Sequence, residues 1–553
     1  MSTWIEENIA ELKGRKILYL SMEMLFNRMN EEGRSANFKG GLGILAGDTM
    51  EGLKNIGLDL NAVIPLYSHR WIEKIEDDRQ VIHTAEVDYS GENIEEVKDK
   101  EGNPVVLDID FEGNTYPVQV LSALRSKAKV YLLRNDEVFD ILYTGDRKKR
   151  LRQEVVVGKA VPALMEAVGL EIDFIHLNEA HTVTAACYIK EIEKYKNIPI
   201  IFTAHTPVPA GMEKYDENWF NLMDLPEKYL GLFNEEGVID FTLAALKISS
   251  ITNGVSKEHG EVMKNLFLSF RDKITGITNG SSLFWQAEEI KEDREMSPEK
   301  LWDIHFKHKE KALRDASARL KEHMGLETEF DLHKPSAGLF RRLAGYKQQY
   351  TMLKDIIGAV CADRGSEVDT PFGKLRGLGM QIFVAGIAHP DDKERQEWAH
   401  RFIKWTKEEG LRGRFAFLPG YGQDLLMHGA RGCDIWVSCP IKNLEACGTS
   451  DQRAALNGNI NISTFTGGAR EYLTEYSGEN EGSAFFIDPY DPKTLYRKLE
   501  KAAELYYDCI EGKNDSFKKL MYNSYKAGMT MTVDNMAKAY AGDFYARALE
   551  MSK

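Results

Sequence analysis

The sequence has no apolar run of the roughly 18 or more residues that a membrane-spanning helix needs. Its amino terminus also lacks the pattern of a signal peptide, because the only apolar run there, residues 17–20, has the length of a strand and follows charged residues. The six cysteines are scattered and form no CxxC pair, which argues against a metal or redox site and favours reduced thiols. We therefore expect a cytoplasmic protein without a bound metal.

The chain also has fewer positive than negative charges, with 71 Lys and Arg residues against 86 Asp and Glu residues and a net charge of −15. This balance argues against a nucleic acid or an anionic membrane as a partner. It does not argue against a phosphate site, which needs only a few local cations. A hydrophobic content of 43% is typical of soluble globular proteins. At 553 residues the chain is too long for one core, so we expect two or more domains.

Short apolar runs alternate with longer amphipathic stretches along the whole chain. Buried strands that alternate with helices are typical of α/β proteins with parallel sheets. One candidate, residues 248–251, is weaker because its centre is polar. The predicted strands are residues 16–20, 174–177, 198–203, 248–251, 336–340, 380–385, 414–418, 434–438 and 460–464.

A Lys/Glu-rich helical stretch at about residues 297–329 separates the two series of strands. We place the domain boundary near its end, with a first domain of residues 1–328 and a second of residues 329–514. The last helical pattern, residues 515–553, is predicted to pack back on the first domain. Ligands of doubly wound sheets bind at the carboxyl ends of the strands. The prediction is thus an α/β protein with two Rossmann-like domains that face a central cleft.

Two motifs in the first half follow predicted strands. A glycine loop contains Gly40, Gly41 and Leu42, and glycines before a helix let backbone N–H groups approach an anion or a sugar closely. A tight turn with only a packing role would show the same pattern. Residues 202–211 bring His205 to the end of a strand and continue into a loop that prolines make rigid. The alternative for His205 is a core histidine whose ring is satisfied by backbone groups.

Two motifs in the second half contain side chains that could bind a sugar phosphate. Arg342 and Lys347 follow a predicted strand, and their long side chains could reach one anion, although a basic surface patch is the alternative. Further on, the carboxylate of Glu445 can accept hydrogen bonds from two sugar hydroxyls. The residues behind it would offer N–H groups at a helix N-terminus to the sugar and its phosphate. These residues are Ala446, Cys447 and Gly448, with Thr449 as a helix cap or phosphate ligand.

In their order along the chain, these motifs resemble those of the α-glucan (glycogen and maltodextrin) phosphorylases, over about residues 15–500. The resemblance implies a short form of that family with a GT-B type glycosyltransferase fold. It also implies a retaining transfer of glucose between phosphate, as glucose 1-phosphate, and an α-1,4-glucan or maltooligosaccharide. A homodimer is a further expectation from the family.

The resemblance also assigns roles to individual residues. Gly40, Gly41 and Leu42 would cup the transferred glucose, and Asn253 would bind one of its hydroxyls. The backbone carbonyl of His205 would support the cationic sugar. Arg342 and Lys347 would hold the substrate phosphate, while Glu445, residues 446–449 and Tyr421 would bind the substrate.

Arg453 breaks the resemblance, because the family has at this position the lysine that holds pyridoxal phosphate as a Schiff base. An imine requires a neutral amine, and a guanidinium stays protonated at physiological pH. Covalent attachment of the cofactor is therefore excluded, and three hypotheses follow.

In the first hypothesis, pyridoxal phosphate binds without a covalent bond, and phosphorolysis is retained. In the second, the chain needs no pyridoxal phosphate and takes glucose from a nucleoside diphosphate (NDP) glucose. Residues 445–448 and 466–469 favour this alternative because they resemble segments of the glycogen synthases. In the third, the chain is a non-catalytic, glucan-binding homologue. The family default of phosphate and glucose 1-phosphate is the first expectation, and NDP-glucose is the alternative.

Overall fold

The computed structural model describes residues 2–26, 37–206, 212–478 and 481–551. It divides into two compact units. The first unit comprises Met1–Trp71, Thr84–Gly280 and Val533–Lys553, and the second comprises Ile72–His83 and Ser281–Thr532.

Both units are built from strands and helices in alternation. The strands are β1 Lys16–Leu20, β2 Asp59–Pro65, β3 His69–Glu76, β4 Arg79–Glu86, β5 Glu95–Glu96, β6 Val106–Phe111, β7 Asn114–Arg125, β8 Ala128–Arg134, β9 Phe174–Asn178, β10 Ile200–Ala204, β11 Lys214–Asp216, β12 Asn234–Glu235, β13 Val238–Asp240, β14 Ile251–Gly254, β15 Ile274–Gly276, β16 Ser336–Phe340, β17 Glu367–Thr370, β18 Gly373–Arg376, β19 Gln381–Ala385, β20 Phe415–Phe417, β21 Ile435–Ser438, β22 Ile460–Ser463 and β23 Ala484–Phe486.

The helices follow the same chain order. They are α1 Trp4–Asn8, α2 Gly41–Asn55, α3 Arg147–Val168, α4 Val183–Lys190, α5 Leu230–Phe233, α6 Phe241–Ile248, α7 Lys257–Leu266, α8 Glu288–Glu292, α9 Pro298–Met324, α10 Gln349–Leu353, α11 Ile357–Cys361, α12 Lys393–Lys407, α13 Gln423–Gly432, α14 Ser450–Ala455, α15 Ala469–Tyr472, α16 Pro492–Ile510, α17 Ser516–Met529, α18 Val533–Ala539 and α19 Arg547–Met551, with a π-helical turn at Tyr540–Ala546.

The first unit is organised around a ten-stranded sheet in the order β15-β14-β10-β9-β1-β2-β8-β7-β5, with β6 also paired to β7. The strands from β15 to β8 run parallel, and β5 to β7 extend the sheet as antiparallel strands. Alternate side chains of β1 enter two separate cores, Leu18 and Leu20 on one face and Ile17 and Tyr19 on the other. A strand that is buried on both faces needs an unbroken apolar run, which is what β1 has.

The second unit has a fully parallel six-stranded sheet in the order β20-β19-β16-β21-β22-β23. Its strands are short and almost entirely buried, with helices supplying the rest of one large core. The middle of the β3–β4 hairpin, Ile72–His83, also belongs to this unit, although the chain on either side of it belongs to the first.

The boundary between the units differs from the predicted one. It falls after Gly280, so residues 281–328, which include α9, belong to the second unit. The reason is that Leu301 of α9 joins the second core, and Lys309 of the same helix forms an ion pair with Asp434, just before β21. A helical stretch without a strand shows an apolar stripe but not which core that stripe faces.

The carboxyl-terminal segment also divides differently from the predicted single helix of residues 515–553. α17 lies in the second unit, where Phe517, Leu520 and Met521 join the core. Only Val533–Lys553 belongs to the first unit, where Val533 and Tyr540 pack against the sheet core.

Candidate functional site

The glycine loop of the first unit forms the amino terminus of α2. Gly40 is the N-cap residue, and Gly41 and Leu42 begin the helix. The buried carboxylate of Glu23 accepts a hydrogen bond from the backbone N–H of Lys39 at 2.9 Å and one from the hydroxyl of Tyr143. This carboxylate anchors the entry to the loop.

Gly43, one residue further on, has no room for a side chain, whereas Gly40 and Gly41 have open space. A Cβ atom at this position would lie 2.4 Å from the Cβ of Phe38 and 2.8 Å from Oε2 of Glu23. No larger residue fits there without displacing its neighbours, so the glycine is a packing requirement as well as a helix start.

His205 follows β10 and is held by two residues at the end of β9. Its backbone N–H donates to Oε2 of Glu179 at 3.0 Å, and its Nε2 lies 2.7 Å from Oδ1 of Asn178. Burial lowers the pKa of His205 to about 3, so the imidazole is neutral at physiological pH. The rest of this predicted motif, residues 207–211, lies outside the described part of the chain.

Asn253 lies in β14 and is 0% exposed. Its Oδ1 accepts from the hydroxyl of Thr203 at 2.7 Å, and its Nδ2 donates to the hydroxyl of Tyr540 at 3.2 Å. The same Thr203 hydroxyl lies 2.8 Å from Nε2 of His176. The side chain predicted to bind a sugar hydroxyl is therefore part of a buried network that holds the carboxyl-terminal segment against the sheet.

In the second unit, Arg341 and Lys347 meet Glu445. Arg341 directly follows β16 and donates from Nη2 to Oε2 of Glu445 at 2.8 Å and from Nη1 to Oγ of Ser438 at 2.6 Å. Nζ of Lys347 donates to the same Glu445 oxygen at 3.2 Å. Burial alone would raise the pKa of Glu445, but the two cations hold it below its ordinary value. This carboxyl group is therefore ionised.

Arg342 and Tyr421 lie near this group without joining its hydrogen bonds. Arg342 is exposed, whereas its neighbour Arg341 is buried. Burial raises the pKa of the Tyr421 hydroxyl, and the positive charges of Arg453, Arg341 and Arg342 oppose that rise. The structure thus brings three guanidinium groups into electrostatic range of one tyrosine. Arg341 was not predicted as a site residue, because adjacent arginines in a sequence do not show which of them turns inward.

The loop that starts at Glu445 leads into α14. Thr449 is the N-cap residue, but its Oγ1 accepts a hydrogen bond from Nη2 of Arg453 at 2.8 Å instead of capping the backbone. A Cβ atom on Gly448 would lie 2.9 Å from Oδ1 of Asp451 and 3.0 Å from Nη2 of Arg341. A side chain on Gly448 would therefore displace the ends of the Asp451 and Arg341 side chains. Ala446 and Cys447 complete the segment, the first buried and the second partly exposed.

Arg453 is 4% exposed, and its guanidinium carbon lies 4.3 Å from the ring centroid of Trp285. The guanidinium is thus fixed between an indole face and the Thr449 hydroxyl. This position offers no amine for an imine. The residues here do not fit covalently bound pyridoxal phosphate. Trp285 was not predicted as a site residue, since nothing near it in the chain indicates a contact with α14.

One cluster of the first unit has the composition of a metal site. Ligand atoms of Glu154, His181 and Glu213 lie within 4.8 Å of one another. However, Arg150 forms an ion pair with Glu213, and Nδ1 of His181 lies 3.2 Å from Oε1 of Glu154. The hydroxyl of Tyr215 donates to the other oxygen of Glu154 at 2.8 Å. Protein groups therefore already occupy these carboxylates.

Comparisons with known proteins agree with this architecture. The family model for the starch synthase catalytic domain matches residues 16–271. The maltodextrin phosphorylase of Thermococcus litoralis is 26% identical over 99% of this chain and 72% of its own length. The glycogen phosphorylase of Aquifex aeolicus is 26% identical over 93% of this chain and 84% of its own. The chain is homologous to the glycogen and maltodextrin phosphorylases.

Synthases are also among the relatives of this phosphorylase homologue. The glycogen synthase of Thermotoga maritima is 22% identical over 92% of this chain and 96% of its own. A solved structure, the catalytic domain of starch synthase IV from Arabidopsis thaliana bound to ADP and acarbose, has a TM-score of 0.70. It is 17% identical and covers 97% of this chain and all of that one.

These likenesses confirm the predicted GT-B fold class with its large parallel sheets. They also confirm a hexosyltransferase of the glycosyltransferase class. Among the residues that the structure describes, no helix has the length and apolar character needed to span a membrane.

Proposed function

We propose that the protein is a retaining α-glucosyltransferase that transfers glucose from an NDP-glucose to an α-1,4-glucan or maltooligosaccharide, without pyridoxal phosphate. The observation that carries this proposal is the buried guanidinium of Arg453, stacked on Trp285. The sequence resemblance assigns the family's cofactor lysine to this position. A permanent cation there cannot tether the cofactor, but it can bind an anionic group of the donor.

The charge of the second unit supports a donor with two linked phosphates. Arg341, Arg342 and Arg453 all act on the hydroxyl of Tyr421, and Lys347 lies beside Glu445. Arg341 and Lys347 share the carboxylate of Glu445, and we assign Arg342 and Arg453 to the donor. Breaking the bond between glucose C1 and the diphosphate oxygen places negative charge on the diphosphate. Cations that are already in position stabilise that charge as it develops.

Each remaining site residue has a role in the proposal. Glu445 stays ionised and accepts hydrogen bonds from sugar hydroxyls. The N–H groups of residues 446–448 bind the sugar and its phosphate, and Thr449 orients Arg453. In the first unit, the amino terminus of α2 at Gly40, Gly41 and Leu42 binds glucose.

His205 has a role that does not depend on proton transfer. Its imidazole is neutral, because burial lowers its pKa to about 3, and we assign the sugar contact to its backbone carbonyl. The proton of the acceptor hydroxyl leaves with the diphosphate or to water as the new glycosidic bond forms. Asn253 has no assigned sugar contact, because Thr203 and Tyr540 occupy its amide.

A second candidate is phosphorolysis with phosphate and glucose 1-phosphate, aided by non-covalently bound pyridoxal phosphate. It is favoured by the likeness to maltodextrin phosphorylase, which extends over 99% of the chain. A cytoplasmic location and a homodimer stay predictions under either candidate.

The purified protein tests the two candidates directly. We expect elongation of a maltooligosaccharide, with release of nucleoside diphosphate, from ADP-glucose or UDP-glucose and not from glucose 1-phosphate. Elongation from glucose 1-phosphate alone would overturn the proposal, and transfer from neither donor would favour a non-catalytic homologue. Absorbance between about 330 and 420 nm reports bound pyridoxal, and we expect none.

Substitution of Arg453 sharpens the choice. We expect Arg453→Lys with added pyridoxal phosphate to gain the absorbance and to lose NDP-glucose activity. Arg412→Lys, an exposed arginine of the same unit, is the matched control. Phosphorolysis by the unmodified protein at the level of Arg453→Lys would support the second candidate.

A further inference from the structure

We propose that the hairpin segment Ile72–His83 positions the anion site of the second unit, with Glu73 and Gln80 as positioning residues. The anion site is the cationic cluster of Arg341, Arg342 and Arg453. This inference rests on the proposed function only in taking that anion site as the donor site. Neither residue is expected to touch the donor. Each binds the backbone of a loop, and each loop carries or supports residues of the cationic cluster.

Gln80 bonds one of these loops with both ends of its amide. Nε2 donates to the carbonyl of Gly386 at 2.9 Å, and Oε1 accepts from the N–H of Ala388 at 2.9 Å. The side chain is 5% exposed, so these bonds form away from water. Buried backbone groups that lose such a partner are costly, because water cannot replace it. Gln80 therefore fixes the loop that follows β19.

The loop that Gln80 fixes lies directly against the arginine segment. The N–H of Arg341 donates to the carbonyl of Ala385 at 2.9 Å, and the N–H of Leu343 donates to the carbonyl of Ile387 at 3.1 Å. A Cβ atom on Gly386 would lie 2.0 Å from the carbonyl oxygen of Arg341, so the two backbones pack as closely as glycine allows. A shift of this loop must shift the segment that carries Arg341 and Arg342.

Glu73 bonds the second loop, which presents Tyr421. Its Oε2 accepts from the N–H of Gly420 at 2.9 Å and from the N–H of Tyr421 at 3.3 Å. On the opposite side, Nη1 of Arg319 donates to the carbonyls of Pro419 at 3.4 Å and Gly420 at 3.3 Å. An acceptor and a donor therefore hold this turn from two elements.

The two contacts form one unit, because Nε2 of Gln80 also donates to Oε1 of Glu73 at 2.5 Å. Through it, one hairpin reaches both the turn that carries Tyr421 and the loop that lies against Arg341. Displacement of binding groups by about 1 Å can cost about 100-fold in rate, so backbone anchors of this kind matter to the reaction. The hairpin thus sets the spacing between Tyr421 and the arginine segment.

The same hairpin supplies a matched control. Glu76 lies on the same strand as Glu73, but its carboxylate is exposed and bonds the exposed His83. Glu76→Gln removes a carboxylate from the hairpin without touching either loop. An effect that Glu73→Gln and Glu76→Gln share would come from a general change in the hairpin. It would not come from the loss of the Glu73 hydrogen bonds to Gly420 and Tyr421.

The kinetic test uses the full-length protein with the variants Gln80→Ala, Glu73→Gln and Glu76→Gln. We expect Gln80→Ala and Glu73→Gln to raise the donor KM roughly tenfold, from the loss of buried backbone hydrogen bonds. The acceptor KM should stay within about twofold, and Glu76→Gln should match the unmodified protein. Equal changes in donor and acceptor KM, or no change, would overturn the proposal.

A second measurement keeps the proposal testable if NDP-glucose is not the donor. Hydrogen–deuterium exchange reports the amides of Ala388, Gly420 and Tyr421 directly, with or without turnover. We expect faster exchange at Ala388 in Gln80→Ala and at Gly420 and Tyr421 in Glu73→Gln, with Glu76→Gln unchanged. Unchanged exchange at these amides overturns the positioning role, whereas faster exchange without NDP-glucose activity overturns only the assigned donor. If Gln80→Ala does not fold, Gln80→Leu removes both the donor and the acceptor with a smaller loss of side-chain volume and gives the same readouts.

Discussion

The candidate sites of the two units are built from opposite kinds of polar group. Around His205 in the first unit, a neutral imidazole bonds the side-chain amide of Asn178, and burial keeps the ring unprotonated. Around Glu445 in the second unit, ionised groups dominate, with Arg341, Lys347 and Arg453 all buried or nearly so. A neutral sugar needs donors and acceptors, whereas a diphosphate needs cations. The group around His205 therefore suits a neutral sugar, and the group around Glu445 suits an anion.

The second unit itself contains two kinds of buried charge. Lys309 and Asp434 are each 0% exposed and bond each other at 2.6 Å, with His305 3.0 Å from the same carboxyl group. These charges are matched with one another. The positive charges of Arg341, Arg342 and Arg453 act on Tyr421, close to the carboxylate that Arg341 and Lys347 share. We attribute the matched pair to the fold and the cations near Tyr421 to the donor.

The largest expected effect comes from breaking the matched pair. Lys309→Met leaves the carboxylate of Asp434 buried with less compensation, and we expect the free energy of unfolding to fall by about 3–5 kcal/mol. Chemical denaturation measures this change, with Lys311→Met on the exposed face of the same helix as the control. A loss below about 1 kcal/mol would mean that the Lys309–Asp434 pair contributes no more than a surface ion pair. The distinction between structural and donor-binding charges would then be wrong.

Glu445→Gln tests the charged site itself. The substitution removes the carboxylate that Arg341 and Lys347 share, and we expect kcat/KM to fall about 100- to 1000-fold with whichever donor is used. Steady-state kinetics measure this fall, and Glu504→Gln, an exposed glutamate of the same unit, should behave like the unmodified protein. Activity within threefold of normal would rule out a role for the Glu445 charge.

The neutral histidines of the first unit predict how stability depends on pH. Burial lowers the pKa of His176 and His205 to about 3 and that of His259 to about 4, against about 6.5 in the unfolded chain. The unfolded state therefore binds more protons below pH 6.5. Their contribution to stability is complete above pH 6.5 and falls between pH 6.5 and about 4, by up to about 1.4 kcal/mol per pH unit for each histidine.

Thermal melts at pH 7.5, 6.0 and 5.0 measure this dependence. We expect Tm to fall with each step, and His259→Gln to flatten the slope by removing one titrating group. A Tm that is constant from pH 7.5 to 5.0 would show that these rings are protonated in the folded protein.

The smallest expected effect concerns the orientation of Arg453. Thr449→Val removes the hydroxyl that accepts from Nη2 of Arg453 at 2.8 Å but leaves the stack on Trp285. We expect about 1 kcal/mol, or roughly a fivefold rise in donor KM, from the loss of this one hydrogen bond. Thr370→Val, in the exposed β17–β18 hairpin, is the control. A larger loss than that of Glu445→Gln would reverse the ranking of the two residues.

Much of the parallel framework was predictable because strands buried on both faces leave unbroken apolar runs. β1, β9, β16, β19, β21 and β22 fall within or close to their predicted ranges. The strand predicted at residues 248–251 is wrong in its position, because α6 ends at Ile248 and β14 begins at Ile251. The antiparallel strands β6 to β8 were not predicted, although β6 alternates exposed and buried residues in a way that period-two analysis can detect.

Residue types at the site were easier to predict than their partners. Glu445, Lys347 and Arg453 stand out by chemistry and local motif. The inward turn of Arg341, the stack of Arg453 on Trp285 and the loop anchors Glu73 and Gln80 depend on tertiary contacts between distant segments. No local pattern encodes those contacts, because they form only once the sheet of the second unit is assembled.

The assignment of Ile72–His83 to the second unit has a consequence for protein engineering. A chimera that joins two homologues after Gly280 would pair the hairpin of one parent with the loops of the other. Gln80 would then have to match a foreign loop at residues 386–388, and Glu73 a foreign turn at residues 420–421. A functional exchange of the donor half must carry these twelve residues with it, so the transferable module is discontinuous in the gene.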